Sequence, residues 1–421
     1  MKKKRMYGRI LSALLCILLC GCDAGDVLDD VPKDFRVSGA EAEDGRGTVR
    51  AAQSASSGGS SSEESAPEPA QEAVFLSEDA HEYARQNLSE MEQLWYDEIR
   101  QQLGAYGKET KLDREGLKAG LAEEDVDRIF QCVLNDHPEL FFVEGYSYTK
   151  FTRGDETVSI QFSGTYSMDE ETALQRREEI EAAAAEILQG IGEDAGEYEK
   201  VKYVYDTVIH RTDYDINAPD NQNVYSVLVN RRSVCQGYAK AVQYLLNRMG
   251  VECTLVLGTV ETGEGHAWNL VKIDGSFYFL DATWGDASYR MDDGGQGQYV
   301  MPEINYDYLN VTTAELLKTH TIDNCVPMPA CVALEANYYY REGALFTSYD
   351  RVQMQALFDR TKEQGQTEVT VKCASEECYR QVLDTLIQGQ EIFTFLDSAG
   401  GSVAYAQNDK QLSLTFWVTN E

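Results

Sequence analysis

The sequence predicts an α+β protein of more than one domain, with a central part that sets a helix against an antiparallel sheet. Three observations carry this. Cys235 to Met249 has apolar residues at helical spacing, with Ala239, Val242, Leu245 and Leu246 on one face and Gly250 as the stop. His266 to Ile273 and Ser276 to Thr283 are strand-like apolar runs joined by Asp274–Gly275, a strong signal for a two-residue hairpin turn. The 421 residues exceed what one core usually organises, and helical and hairpin patterns alternate along them.

Residues 1–21 form the first segment. Lys2, Lys3, Lys4, Arg5 and Arg9 precede an apolar run from Ile10 to Leu19, without an acid. That pattern predicts a secretion signal, since the run is too short for a spanning helix. Its end, Leu19-Cys20-Gly21-Cys22, resembles the bacterial lipoprotein box. The resemblance implies cleavage before Cys22, a palmitate-type acyl chain on Cys22, and anchoring to the outer face of the cell membrane. More than one acyl chain makes such anchoring stable. Residues 22–75 are acidic and small, with S-A-S-S-G-G-S-S-S-E-E-S-A-P-E-P at their centre, which predicts a flexible tether.

Residues 76–192 predict an N-terminal α+β domain. A long helix is expected from Ser77 to Leu103, with Ser77 as cap, and a second from Glu123 to Leu134, ended by N-D-H-P. Alternating residues Phe142, Tyr146, Tyr148 and then Val158, Ile160, Phe162 predict a hairpin around G-D-E, followed by a helix from Asp169 to Leu188. His81 and His137 read as surface or turn histidines.

The central domain, 193–328, opens with a helix from Glu197 to about Arg211 and contains the Cys235 helix and the hairpin. Beyond them lies a Gly- and Asp-rich stretch carrying Asp286, Asp292 and Asp293, read as a solvated loop because it lacks the ordered oxygen spacing of a calcium loop. Thr312 and Glu315 have capping-box spacing and start a short helix. Residues 329–421 predict a small α+β accessory domain that ends in a hairpin turning at Asn408–Asp409.

A formal charge of −34 disfavours nucleic acid and anionic headgroups as partners of the folded surface, and none is expected. Cys132 and Cys253 sit in apolar runs and are expected as buried free thiols; six thiols permit fifteen connectivities, of which Cys325–Cys331 is the pair to test first. No cysteine or histidine spacing predicts a metal site.

The chemistry concentrates between Ser233 and Trp284. Cys235 is placed at a helix start, where unpaired amides and the dipole favour a thiolate. The Asp274–Gly275 turn pairs Trp268 with Asp281 and His266 with Thr283, so Asp281 falls on the sheet face of His266, within side-chain reach. Cys, His and Asp so arranged suit a thiol nucleophile, a proton shuttle and a carboxylate that orients it. Gly237 is expected to keep the path to the sulfur open.

V-C-Q-G-Y-A, G-H-A-W-N and Y-F-L-D-A-T-W resemble the motifs of the transglutaminase-like cysteine enzymes, among them bacterial lipoproteins similar to kyphoscoliosis-peptidase-type domains. The resemblance covers about 130 residues and touches N-D-H-P-E-L-F-F upstream. It implies a papain-like core, with Cys235 as nucleophile, His266 as general base and acid, and Asp281 as the group orienting His266. It implies no cofactor and no metal for the chemistry. Gln222, Tyr225, Gln236 and Trp268 are the candidates for oxyanion or substrate contacts. The expected substrate is a protein or peptide amide, opened through a Cys235 thioester by water or an amine. The alternative is a non-catalytic module of the same fold that binds peptide or cell-wall polymer at the surface.

Overall fold

The computed structural model describes residues 2–9, 73, 75–153, 155–286, 303–396 and 403–417. Helix and mainly antiparallel sheet recur in three consecutive stretches, the C-terminal one including a parallel pair, Leu345–Phe346 with Glu368–Cys373, which gives the α+β class expected. Cys22, expected from the sequence to be acylated, and Asp292 and Asp293, expected in a solvated loop, lie outside the described residues.

In the N-terminal stretch the single long helix expected from Ser77 is two helices, Tyr83–Gln86 and Glu90–Gly104. The break is local chemistry: Ser89 and Glu92 form a capping box that starts a new helix inside the apolar pattern. The Glu123–Asp136 helix runs up to His137, one residue before the proline that forbids its continuation. Val143–Arg153 and Glu156–Tyr166 pair as the expected hairpin, and Asp169 caps the Glu170–Leu188 helix. Lys2–Arg9, read from the sequence as the start of a signal, runs antiparallel along Val143–Arg153 as an edge strand. Among the described residues no helix is long and apolar enough to cross a membrane.

His137 is a correction to the surface reading. It is 2% exposed, with Nδ1 2.9 Å from Glu139 and Nε2 3.5 Å from Glu82. Burial alone would lower its pKa, but the two carboxylates prevail and raise it to about 9. Its neighbour Asp136, also buried, accepts from the amides of Ala84 and Arg85 and from the Tyr96 hydroxyl, which ties the first helix to this one.

The central sheet has the strand order His320–Ile322, Cys253–Val260, Gly265–Ile273, Ser276–Leu280 and is antiparallel throughout. Gly258 must be a glycine: a Cβ there would lie 2.0 Å from the Thr321 carbonyl oxygen and 2.7 Å from the Trp268 ring. That close approach lets the edge strand bearing His320 dock beside the one facing His266. The Cys235–Arg248 helix packs on this sheet, and Asn269 Nδ2 donates to the Ala239 carbonyl at 2.9 Å, fixing the helix to the His266 strand.

One buried core runs through the N-terminal and central stretches, from Phe75 to Ala336, and a second occupies the C-terminal stretch from Tyr339 to Phe416. The C-terminal sheet carries Lys372, which is 1% exposed and 3.2 Å from Asp307. Asp307 also accepts from Asn408 and Ser413, so the C-terminal stretch grips the turn just before Tyr308. The terminal hairpin forms, with Asn408 opposite Ser413 across the four residues between them, a longer connection than the tight turn expected.

Cys132 and Cys253 are buried free thiols, as the sequence leads one to expect, but Cys325 does not pair with Cys331. Cys325 lies beside Cys132 and Cys373 beside Cys378, while Cys331 turns toward the Pro329 carbonyl at 3.8 Å. All seven described cysteines are free thiols. Diamide oxidation followed by peptide mapping is expected to give Cys132–Cys325 and Cys373–Cys378 cross-links, with no Cys325–Cys331 product. A second prediction comes from His137. Its pKa is raised above 6.5 in the fold, so its contribution is complete below pH 6.5 and is lost as pH rises through about 9. The shift corresponds to about 3 kcal/mol. Thermal unfolding should therefore show Tm declining between pH 6.5 and 9.5, with most of that decline removed in His137→Gln.

Candidate active site

Cys235 begins its helix because the segment before it is pinned. Val234 N and Ser233 Oγ both donate to the Asn221 carbonyl, at 3.0 and 2.7 Å, and Ser226 and Ser233 hydroxyls meet at 2.7 Å. Gly237 is a glycine because of this strap: a Cβ would lie 1.9 Å from Ser233 Oγ. The structure thus replaces the expected role of Gly237, an open path to the sulfur, with close packing of the first helical turn. Val234 makes no side-chain cap, so the positive end of the 14-residue helix faces the thiol position without a competing oxygen from the cap. The Cys235 side chain is 2% exposed and packs with Ala239, Leu255 and Ala267, the last being the neighbour of His266 in sequence.

The hairpin has the expected register from Ile273–Ser276 to Asn269–Leu280. It ends there. The expected pairs Trp268–Asp281 and His266–Thr283 are absent from the ladder, because Asp281 instead caps a short helix, Ala282–Gly285. Asp281 Oδ1 accepts from the amides of Thr283 and Trp284 at 2.9 and 3.1 Å, as an N-cap carboxylate does. This leaves Oδ2 for His266, whose Nε2 lies 2.8 Å away. The side-chain contact expected between the two residues is therefore made from a cap and not from a strand pair.

A second imidazole reaches the same oxygen. His320 Nε2 is 3.1 Å from Asp281 Oδ2, and its Nδ1 is 2.9 Å from Thr319 Oγ1. Burial would raise the Asp281 pKa, but the two imidazoles outweigh it and hold the carboxyl well below its ordinary range. A carboxylate only accepts, so both Nε2 atoms carry protons and donate to it. With Nε2–H on Asp281, a neutral imidazole at His266 would carry no proton on Nδ1, and that tautomer can accept one from a thiol. His320 was not legible as part of the site: its only sequence signal is a histidine after a short capped helix, and its partner lies 39 residues upstream.

Aromatic rings enclose this cluster. Trp268 stacks on His266 at 5.9 Å between centroids, and Trp284 lies 6.1 Å from His266 and 4.8 Å from His320. Tyr308 stands against Trp284 at 5.1 Å. Trp268 is fully buried, and its indole N–H has no partner among the described residues. Tyr205, from the Glu197–Arg211 helix, donates to the Asn305 carbonyl at 2.7 Å, next to the Asp281 carbonyl at 3.4 Å. Low exposure of the charged and polar groups strengthens each interaction among them.

The remaining candidates separate. Tyr225 is turned to the Glu170–Leu188 helix, where its hydroxyl donates to Glu179 at 2.5 Å and Arg176 covers its ring at 4.6 Å. An oxyanion contact for it is not supported by that orientation. Gln222 follows Asn221, whose carbonyl is bonded to Val234, so its backbone runs beside the start of the Cys235 helix. Gln236 is half-buried in the first turn. The donor atoms of His266, Asp281 and His320 lie within 4.8 Å of one another, a geometry that a divalent ion could also use.

A family model described as the transglutaminase-like superfamily matches residues 182–282. Kyphoscoliosis peptidase from Mus musculus is 25% identical over 123 residues, covering 25% of this chain and 19% of that protein. Its Homo sapiens counterpart is 28% identical over 103 residues, 21% of this chain and 16% of that protein. The chain thus spans less than a fifth of the length of these curated relatives. The periplasmic domain of TgpA from Pseudomonas aeruginosa is 18% identical, covers 32% of this chain and 60% of its own, and aligns with a TM-score of 0.21. The matched span holds Cys235, His266 and Asp281 and stops short of His320, so the likeness to the transglutaminase-like superfamily lies in this stretch of the chain.

Proposed function

We propose that the chain is a cysteine acyl-transfer enzyme acting on protein or peptide amides. The observation that carries this reading is the His266–Asp281 contact, which sets the imidazole in the tautomer a thiol nucleophile needs. Cys235 gives its proton to His266 Nδ1, and the resulting imidazolium keeps its Nε2–H on Asp281. The thiolate attacks the amide carbon; the C–S bond forms as the carbonyl oxygen takes the negative charge. Collapse of this intermediate breaks the C–N bond, and His266 protonates the departing amine. Water or a second amine, deprotonated by His266, then attacks the thioester and restores the thiol. Water yields a peptidase or amidase; an amine such as a lysine yields a crosslinker.

The oxyanion needs donors at the position it will occupy. The backbone amide of Cys235 at the helix start is one, and we assign the second to the Gln222 side chain, on the strength of its place beside Val234. The leader pattern supports a further part of the reading: the enzyme is held at the outer face of the membrane through acylated Cys22, on the 22–75 tether. Labelling with an alkynyl palmitate analogue, lost in Cys22→Ala, checks that part.

Iodoacetamide alkylation across pH tests the core of the proposal. Cys235 is expected to alkylate well below the ordinary thiol range in the wild type, and His266→Ala should return it to ordinary thiol behaviour. Identical profiles for the two proteins would sink the enzyme reading and leave the peptide- or wall-binding module. With a peptide library, an acyl adduct on Cys235 should be trapped and identified by mass spectrometry. Asp281→Asn, which presents its amide to the imidazole and favours the wrong tautomer, should lower turnover on any substrate so found by roughly 10³- to 10⁴-fold. Gln222→Ala should lower it by about 10²- to 10³-fold with little change in KM.

A further inference from the structure

We infer that His320 is a fourth member of the Cys235–His266–Asp281 arrangement, a positioning residue that fixes the Asp281 carboxylate and limits its pull on His266. The inference rests on the proposed thiol chemistry. It starts from an accounting of one buried side chain. Asp281 is 1% exposed and has four donors: two backbone amides on Oδ1 and two imidazole Nε2–H groups on Oδ2. The Asp281–His266 contact alone would suffice to orient the base. His320 shares the same oxygen, so part of the negative charge His266 faces is already spent on a second donor.

His320 is itself held on every side. Its Nδ1 lies 2.9 Å from Thr319 Oγ1, which is also 3.4 Å from the Leu316 carbonyl, so both ring nitrogens are engaged. Trp268, Trp284 and Tyr308 close around the ring at 5.0, 4.8 and 5.8 Å between centroids. Its backbone is registered opposite Val260 on the edge of the sheet, two positions beyond the residue paired with His266. The titratable groups facing it are Asp281, His266, whose ring is 5.4 Å away, and Tyr308, whose phenol accepts from Gln411 Nε2 at 3.3 Å. None of these can replace the donor His320 gives to Oδ2. Without it the carboxylate would turn its whole second oxygen to His266, the imidazolium would be held more tightly, and the base would release its proton to the leaving amine less readily.

Two variants separate this role from mere packing. His320→Leu fills the space and removes the donor; His320→Gln keeps an N–H donor near the same place. Iodoacetamide profiles of Cys235 report both the thiolate and the deprotonation of its imidazolium partner. In His320→Leu the upper limb, which reports His266, is expected to move up by about one pH unit, and His320→Gln should restore it to within a few tenths. Acyl transfer on a trapped substrate should fall by about 10- to 100-fold in His320→Leu, in kcat and not KM. If His320→Leu fails to fold, ¹⁵N-histidine spectra of the wild type decide, since the chain has five histidines. Both His266 and His320 are expected as Nε2–H tautomers, with two low-field exchangeable protons, one lost in His320→Gln.

A folded His320→Leu with an unmoved upper limb would overturn the inference, as would an Nδ1–H tautomer at His320. One equivalent of Zn²⁺ retained by the wild type through gel filtration and lost in His320→Gln would also overturn it, by assigning the trio to a metal. Failure of the thiol reading itself looks different: there wild type and His266→Ala alkylate alike, whatever His320 does.

Discussion

The site depends on keeping one carboxylate charged inside the protein. Moving an ionised carboxylate out of water costs several kcal/mol even after relaxation, unless every lone pair finds a donor. Asp281 meets that requirement from three directions. Its own helix cap supplies two amides, the neighbouring strand supplies His266, and the far edge of the sheet supplies His320. These donors come from segments joined by the Cys253–Val260 strand, which pairs with both histidine-bearing strands. The sheet order is therefore what brings the two imidazoles to one oxygen.

The surrounding elements can be understood as supports for that point. The strap from Asn221 to Ser233 sets the start of the Cys235 helix, and Asn269 ties that helix to the His266 strand. Tyr308 closes the aromatic wall, and the residue before it is gripped by Lys372, Asn408 and Ser413 of the C-terminal stretch. That buried Lys372–Asp307 pair gives the C-terminal stretch a physical connection to the site.

Much of this was legible locally. The Asp274–Gly275 turn determined the hairpin register, and helical spacing ending at Gly250 placed Cys235 at a helix start. Asp281 as a cap was also within reach, since D-A-T-W offers an Asp followed by two amides, yet the strand pattern masked it. The break at Ser89 was hidden in the same way, by apolar spacing that continues across a capping box. What was not legible depends on distant partners. His137 looks like a turn residue until Glu82, 55 positions upstream, is folded against it, and Cys325 looks paired with Cys331 until Cys132 is brought to it. His320 belongs to this class, because a three-residue edge strand gives no period from which its face could be derived.

The chain contains an internal comparison that shows what sets the Asp281 arrangement apart. Asp136 is equally buried and accepts from two backbone amides and a phenol, yet burial prevails and its pKa rises to about 6. A histidine adjoins it in sequence, but His137 is directed at Glu139 and Glu82. Asp281 has two amides as well, and its remaining oxygen faces imidazoles, so its pKa moves the opposite way. The difference between the two aspartates is therefore not burial and not the number of amides. It is whether histidine is aimed at the carboxylate. In the first cluster the imidazole is committed to other acids and serves to hold helices together. In the second, His266 keeps Nε2 on a carboxylate that stays ionised, and its other nitrogen is left for chemistry.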